Sequence, residues 1–152
     1  MQAKDLMSRK FTTATPDQPG AALLTLFSER RQGGIPVVDH DRNLLGIVTS
    51  VDLLRTLFPG YVQFLDTTLY LERCLDPAAV LERVDRIRVG DIMRLDVITA
   101  TAETPFCKLV ALLMEKKINQ IPVVEAGTLQ GMVTRFDIIK ALAEKAKEVR
   151  AH

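Results

Sequence analysis

Two short phrases in the sequence place a threonine and an aspartate where both side chains could bind a phosphorylated ligand. Thr49 and Asp52 stand in Thr-Ser-Val-Asp, and Thr134 and Asp137 stand in Thr-Arg-Phe-Asp. Each threonine is predicted to end a strand, and each aspartate to lie in the first turn of the next helix. A helix N-terminus suits phosphate, because its N–H groups are free and its dipole is positive there.

The aspartate of each phrase offers a second kind of contact. A carboxylate at the start of a helix can accept two hydrogen bonds from a ribose diol, as acidic residues do in dinucleotide-binding folds. Threonine and aspartate are also good helix-capping residues, so capping without any ligand is the alternative interpretation.

Both phrases belong to an internal duplication. Three blocks recur 86 residues later: Asp5-Leu6-Met7 as Asp91-Ile92-Met93, Thr13-Ala14-Thr15 as Thr99-Ala100-Thr101, and Ile35-Pro36-Val37-Val38 as Ile121-Pro122-Val123-Val124. A fourth block, which runs from Gly46 to Asp52, recurs 85 residues later from Gly131 to Asp137. Because the blocks keep their order and nearly their register, we interpret the chain as two copies of one unit.

Each copy is predicted to fold as strand, helix, strand, strand, helix. The elements of the first copy are expected near 11–14, 19–31, 35–39, 44–49 and from 51 onward; those of the second are expected near 97–100, 104–116, 121–125, 129–134 and 136–149. One copy alone has too little core to be stable, whereas two can bury their sheets against each other. The sequence therefore predicts an α/β (α+β) fold of two βαββα repeats, 1–58 and 89–152, related by a pseudo-twofold axis.

The stretch between the copies, residues 59–88, has no counterpart in either repeat. Its apolar residues are spaced with charges between them, so it is predicted to be a helical insertion of two helices joined near Asp76, with Pro77 opening the second. We expect it either to pack against the repeats or to serve as a dimer arm or partner surface.

The composition is typical of an ordinary globular protein. The chain has 152 residues, of which 47% are hydrophobic, and a net charge of +1. A nearly neutral chain gives no reason to expect nucleic acid or a membrane as a partner. The apolar runs are too short for a membrane span or a secretory signal, and Cys74 and Cys107 lack metal-ligand spacing, so we expect a cytoplasmic protein with reduced thiols.

No set of residues with catalytic spacing is found in the sequence. The histidines, His40 and His152, stand in a predicted turn and at the terminus, away from any candidate nucleophile. Asp39 and Asp41 flank that turn, but they supply too few ligands for a cation. We therefore expect no enzyme activity, no metal and no required cofactor.

The duplicated blocks resemble the cystathionine-β-synthase (CBS) domain family in its paired form, the Bateman module. The resemblance rests on Asp5-Leu6-Met7, on Thr13 to Pro19, on Ile35 to Asp39 and on Gly46 to Asp52, each repeated in the second copy. It implies a regulatory module that binds an adenine nucleotide such as AMP, ADP or ATP. S-adenosylmethionine or NAD as the ligand, or a structural module without a ligand, are the alternatives. The resemblance also implies a homodimer, and it leaves an unidentified protein partner open.

The family resemblance further implies two sites, each combining the Thr–Asp pair of one copy with a base pocket from the other. One site would comprise Thr49, Asp52, Ile98, Ile118 and Asn119, and the other Thr134, Asp137, Thr12, Gln32 and Gly33. Ile118 can cover an adenine face, whereas Gln32 stands where the resemblance implies an apolar residue, so the Asp52 site is expected to bind more strongly. Arg135 can pair with a phosphate, a solvated side chain being the alternative.

Overall fold

The structure, a computed structural model, describes residues 1–30, 32–58, 61–64, 67–70 and 77–151, with the backbone alone for 61–64 and 67–70. The helices are α1 (Ala3–Leu6), α2 (Gly20–Glu29), α3 (Ser50–Leu57), α4 (Pro77–Asp85), α5 (Val89–Ile92), α6 (Phe106–Glu115) and α7 (Arg135–Arg150). The strands are β1 (Gly34–Val38), β2 (Leu44–Thr49), β3 (Tyr61–Phe64), β4 (Thr67–Tyr70), β5 (Gln120–Glu125) and β6 (Thr128–Thr134). The predicted mixed class with two repeats is confirmed, because α2-β1-β2-α3 recurs as α6-β5-β6-α7.

The first strand predicted in each copy is wrong as a regular strand. Only Ala14 and Ala100 form a bridge there, each parallel to a single residue of the following strand. In the first copy the reason is visible at Thr12, whose backbone N–H and carbonyl are both bonded to the side-chain amide of Gln32. A side chain therefore takes the place that a neighbouring strand would occupy.

The chain forms two compact units. One unit, built on the first copy, holds residues Thr12–Asp39 and Leu45–Leu95. Strand β1 is buried along its whole length, as the predicted run Ile35-Pro36-Val37-Val38 requires. The core of this unit consists of Ala14, Leu23, Ile35, Val37, Val48, Leu53, Leu57, Val84 and Val89. Helix α3 therefore rests on the core through Leu53 and Leu57, which fixes where its N-terminus lies.

The second unit holds residues Met1–Phe11, His40–Leu44 and Asp96–His152. Strands β5 and β6 pair antiparallel, with Gln120 opposite Thr134 and an irregularity between Val123 and Val124. The core of the second unit consists of Ala3, Ala100, Leu109, Leu113, Ile121, Val123, Val133 and Ile138. Ile138 anchors the first turn of α7 to this core, so the position of the Thr134–Asp137 phrase is set by packing.

The short helices that open the two copies are exchanged between the units. Helix α1 lies in the unit built on the second copy, where the Ala3 N–H donates to the Thr104 carbonyl over 2.9 Å. Helix α5 lies in the unit built on the first copy, where the Val89 N–H donates to the Gln18 carbonyl over 2.9 Å. Strand β2 of the first copy therefore lies beside the opening segment of the second copy, and strand β6 of the second copy lies beside the opening segment of the first.

The segment between the repeats departs from the predicted pair of helices. Strands β3 and β4 form an antiparallel hairpin in which Tyr61 pairs with Tyr70. The aromatic and β-branched residues of 61–70 favour a strand over a helix, and this preference outweighed the spacing of the apolar residues. The second predicted helix is confirmed as α4, which begins at Pro77 and buries Val84 in the core of its unit. Asp76, Cys74 and His152 lie outside the described residues, while Cys107 is a free, exposed thiol.

Within the described ranges, no helix combines the length and the apolar character needed to cross a membrane.

The packing of α6 yields a test of the second core. Leu109 is fully buried, whereas Met114 on the same helix is 73% exposed. We expect Leu109→Ala to lower the free energy of unfolding by about 2–5 kcal/mol, because the substitution leaves a cavity. Met114→Ala is the matched control, with an expected change within about 0.5 kcal/mol. Urea unfolding followed by circular dichroism measures both; equal losses in the two variants would contradict this core.

Candidate functional site

The first Thr–Asp phrase forms a capping box at the junction of β2 and α3. Thr49 is the N-cap residue, and its hydroxyl oxygen accepts the Asp52 N–H at 3.1 Å. The Asp52 carboxylate accepts the Thr49 N–H at 3.1 Å and the Thr49 hydroxyl at 2.8 Å, all through Oδ2. The sequence prediction that threonine ends the strand and aspartate lies in the first helical turn is confirmed here.

The second phrase builds the same box at the junction of β6 and α7. The Thr134 hydroxyl oxygen accepts the Asp137 N–H at 3.3 Å. Asp137 Oδ2 in turn accepts the Thr134 N–H at 2.7 Å and the Thr134 hydroxyl at 3.1 Å. Both boxes satisfy helix N-terminal N–H groups that would otherwise lack a partner.

An arginine distinguishes the first box from the second. Arg94 donates from Nε and Nη2 to Asp52 Oδ1 over 3.0 and 2.7 Å, and from Nε to Oδ2 over 3.1 Å. The Asp52 side chain is only 10% exposed, while that of Arg94 is 55% exposed. The Asp52 carboxylate is thus bonded both to Thr49 of its own capping box and to the solvent-exposed guanidinium of Arg94.

A close backbone approach brings Arg94 to this position. The N–H of Ile47 donates to the Arg94 carbonyl over 3.0 Å, and the N–H of Arg94 donates back over 2.8 Å. Gly46 permits the approach, because a Cβ there would lie 2.6 Å from the Arg94 carbonyl oxygen. The glycine that opens the Gly46–Asp52 block is therefore required by packing.

The second copy repeats this approach with a different side chain. Met132 and Ser8 exchange backbone hydrogen bonds of 3.0 and 2.9 Å, and a Cβ at Gly131 would lie 3.0 Å from the Ser8 carbonyl. Ser8 is therefore the structural counterpart of Arg94. Its hydroxyl bonds to the backbone of Lys10.

The surroundings of the Asp52 carboxyl lower its pKa. Burial raises the pKa of the carboxyl, but the hydrogen bonds from Arg94 and Thr49 lower it, and the net shift is below the ordinary range. The carboxylate correspondingly raises the pKa of Arg94. Asp52 is therefore an anion in the folded protein throughout the neutral range.

The residues that precede β1 and β5 contact the helix start of their own copy. The Gly33 carbonyl accepts the Ser50 N–H at 3.2 Å, and the Asn119 carbonyl accepts the Arg135 N–H at 3.2 Å. Gly33 and Asn119 are exposed. In each unit the loop before the strand and the first turn of the helix thus form one continuous surface.

The remaining predicted site residues are placed as follows. Gln32 is half-buried, and its amide bonds to the backbone of Thr12 and to the Gly34 carbonyl, so it is a structural link within its unit. Ile118 is partly buried against the core of its own unit, and Ile98 is half-buried. The Arg135 guanidinium is exposed, 5.9 Å from the centre of the Phe136 ring. The predicted grouping of residues across the two copies stays a prediction.

The described residues contain no cluster of three or more histidine, cysteine, aspartate or glutamate side chains that could hold a metal ion.

Comparison with known proteins shows the family to which the two copies belong. The sequence profile of the CBS domain matches residues 3–59 and 89–144, so each copy carries a match of its own. The chain belongs to the CBS domain family. Its Thr49–Asp52 and Thr134–Asp137 boxes fall at corresponding places in the two domains of this CBS pair.

Two curated relatives differ greatly in length from one another. An uncharacterized protein of Methanocaldococcus jannaschii is 27% identical over 157 residues, covering 93% of this chain and 91% of that protein. Inosine-5'-monophosphate dehydrogenase of Staphylococcus epidermidis is 30% identical over 131 residues, covering 84% of this chain. This chain spans only 22% of the dehydrogenase, so the likeness concerns the CBS pair alone.

Solved structures share the fold. CBSX2 of Arabidopsis thaliana, solved in complex with AMP, superposes with a TM-score of 0.75 at 24% identity, covering 95% of this chain and 98% of that one. The CBS pair of protein MJ0100, in complex with 5'-methylthioadenosine and S-adenosyl-L-methionine, gives a TM-score of 0.71 at 22% identity, covering 95% and 98%.

Sequence reasoning missed Arg94. The signal was present in the repeat itself, since Asp5-Leu6-Met7 is followed by Ser8 while Asp91-Ile92-Met93 is followed by Arg94. A mismatch directly after a matching block marks a position where the two copies diverge. The sequence alone gives no indication that this position lies beside Asp52.

The Arg94–Asp52 ion pair predicts a dependence of stability on pH. Because the folded-state pKa of Asp52 is lowered, the pair stabilises the fold above the unfolded pKa, and this contribution is lost as the pH falls through the folded pKa. We expect Arg94→Ser to cost about 1 kcal/mol or less at pH 7, since the guanidinium is largely exposed. The cost should shrink as the pH falls through the lowered folded-state pKa of Asp52, because the protonated carboxyl no longer attracts the guanidinium. Urea unfolding across this range, with the exposed Arg86→Ser as the control for charge, measures the difference; a cost independent of pH would contradict the assignment.

Proposed function

We propose that this CBS pair is a regulatory module without catalytic activity, which binds an adenine nucleotide, with AMP as the leading candidate. The observation that carries the proposal is the doubled capping box, at Thr49–Asp52 and Thr134–Asp137, placed at corresponding positions of two CBS domains. In each box a carboxylate and a hydroxyl lie beside the positive end of a helix of eight or more residues. This combination fits a ligand that carries both a ribose and a phosphate.

The Thr134–Asp137 box has the chemistry that such a ligand needs. Its bonds with Thr134 use Asp137 Oδ2, and among the described residues no donor occupies Oδ1. A ribose hydroxyl can therefore bond to that oxygen without breaking the helix cap. Arg135, exposed in the first turn of α7, adds a cation for the phosphate.

Relatives supply the choice of AMP. CBSX2 shares the fold of this chain and was solved with AMP, and the MJ0100 pair was solved with adenosine compounds that contain sulfur. Adenosine is common to all three of these ligands. S-adenosylmethionine is therefore the second ligand to test, with ADP, ATP and NAD after it.

A module that keeps the fold without a ligand is the alternative function. It is favoured at Asp52, where the carboxylate is already bonded to Thr49 and Arg94. If the boxes serve only as helix caps, their removal will change stability and no nucleotide will bind. Ligand titration separates the two functions directly.

Nucleotide binding predicts a rise in melting temperature. AMP at about 100 times its dissociation constant should add about 2.7 kcal/mol of stability. For a protein of this size that corresponds to a rise of roughly 5–10 °C in differential scanning fluorimetry. The double variant Asp52→Ala/Asp137→Ala should lose the shift, since each lost charged hydrogen bond is worth about 1.5–3 kcal/mol, or at least a tenfold loss of affinity.

The chain offers matched controls for this experiment. Asp5 and Asp91 also accept the N–H of an N-cap residue at 2.8 Å, at the starts of the short helices α1 and α5. Asp5→Ala and Asp91→Ala should lower stability as the loss of a cap does, yet keep the shift with AMP. If AMP, ADP, ATP and S-adenosylmethionine all leave the melting temperature of the wild type unchanged, the structural-module alternative holds.

We propose that the protein forms a homodimer through exposed helix faces. Helix α7 exposes Phe136, Ile139, Leu142 and Val149, which are 54–72% accessible and lie on one side of the helix. Helix α3 exposes Val51 and Leu54 to 50% and 56%. Apolar rows of this kind are typical of surfaces that are covered in a symmetric dimer.

A single charge in the α7 row tests the dimer. We expect Ile139→Asp to give a monomer in size-exclusion chromatography with light scattering at tens of micromolar, where the wild type elutes as a dimer, because an unpaired carboxylate in an apolar interface is costly. Glu144→Lys, on the side of the same helix that faces away from Ile139 and Leu142, should leave the dimer intact. A monomeric wild type, or a dimer in the Ile139→Asp variant, would refute the assigned face.

A further inference from the structure

The acceptor capacity of Asp52 is used up within its own unit. Its Oδ1 accepts from Nε and Nη2 of Arg94, and its Oδ2 accepts from Thr49 twice and from Arg94 Nε. A carboxylate has about four lone-pair positions, so these bonds leave none for a ribose diol. A ligand would have to displace a bidentate, charge-assisted pair, which is the stronger kind of hydrogen bond.

Asp137 has the same cap, and no cation of the described residues is paired with it. Its described bonds are those with Thr134, both through Oδ2. Among the residues that the structure describes, the ion pairs are Arg94–Asp52 and Lys145–Glu148, so none involves Asp137. Its Oδ1 is available to a hydroxyl group of a ligand.

The difference originates at one position of the duplicated unit. Arg94 and Ser8 each exchange a pair of backbone bonds with the residue two places before the capping threonine, Ile47 in one unit and Met132 in the other. Their backbones are equivalent, and the side chains differ. A serine that bonds to its own loop cannot reach a carboxylate in the way that a guanidinium does.

We propose that Arg94 is a specificity-determining residue, which closes the Asp52 carboxylate to a ribose diol and leaves Asp137 as the carboxylate that recognises adenosine. This inference rests on the proposed nucleotide-binding function. It reverses the sequence-based expectation that the Asp52 site binds more strongly, because that expectation considered Ile118 and Gln32 and did not include Arg94. The wild-type chain then binds one AMP per chain with high affinity.

Exchange of the two side chains tests the proposal. Isothermal titration calorimetry with AMP should give one site per chain for the wild type and two for Arg94→Ser. This variant carries at position 94 the serine that the other unit has at the equivalent position, Ser8. Ser8→Arg should weaken AMP binding at least tenfold. The site gained in Arg94→Ser should bind 2'-deoxy-AMP at least tenfold more weakly than AMP, because one hydroxyl of the diol is missing.

Arg86→Ser is the control, since it removes the same charge from an exposed turn, and it should keep one site per chain. Two equal sites in the wild type, one site in Arg94→Ser, or undiminished affinity in Ser8→Arg would each overturn this inference while AMP binding itself stands. Weaker AMP binding in Arg94→Ser would overturn it too, since the guanidinium would then be a phosphate ligand. Absence of AMP binding in every variant would refute the proposed function and this inference together.

Discussion

In each unit two backbone segments come into close contact at a glycine, and this contact positions the strand and the helix start that follow it. In each unit the opening segment of one copy runs against the second strand of the other, and it exchanges two hydrogen bonds with the residue after the glycine. At Gly46 a Cβ would lie 2.6 Å from the facing carbonyl oxygen, so any other residue would push the segments apart. The contact fixes both the strand that ends in the capping threonine and the side chain that lies beside the aspartate. Packing and site chemistry are therefore set by the same few atoms.

The capping boxes show why residue type alone does not assign a ligand site. Asp5 and Asp91 accept N-cap N–H groups just as Asp52 and Asp137 do, yet they begin helices of one turn. A short helix offers a weaker anion site than α3 or α7, because few peptide dipoles are aligned behind its N-terminus. In this chain the longer helices α3 and α7 follow the strand pairs, and for this reason the proposed ligand role is assigned to their boxes and not to those of α1 and α5.

Duplication allows the two copies to diverge without loss of the fold. The buried residues of β1 and β5 are nearly the same, since both strands are covered by core. Two of the differences between the copies lie near the helix starts, at Arg94 against Ser8 and at Gln32 against Ile118. Gln32 has become a structural link to Thr12, and Arg94 an ion-pair partner of Asp52. Two copies with one backbone thus present two different chemical surfaces.

The sequence by itself determined the duplication, the helix–strand–strand–helix order, the CBS family and the Thr–Asp boxes, because these depend on local patterns such as apolar periodicity and cap residues. It did not determine the fate of the 61–70 segment, where strand preference and apolar spacing gave opposite indications and hairpin pairing decided. Nor did it determine which aspartate is paired with an arginine. Arg94 lies 42 residues from Asp52 in the chain, and the two meet only because Gly46 lets their segments approach. Long-range hydrogen bonds of this kind leave no periodic trace in a sequence, so the tertiary structure was needed to show that Asp52 is bonded to an arginine, whereas no described arginine or lysine pairs with Asp137.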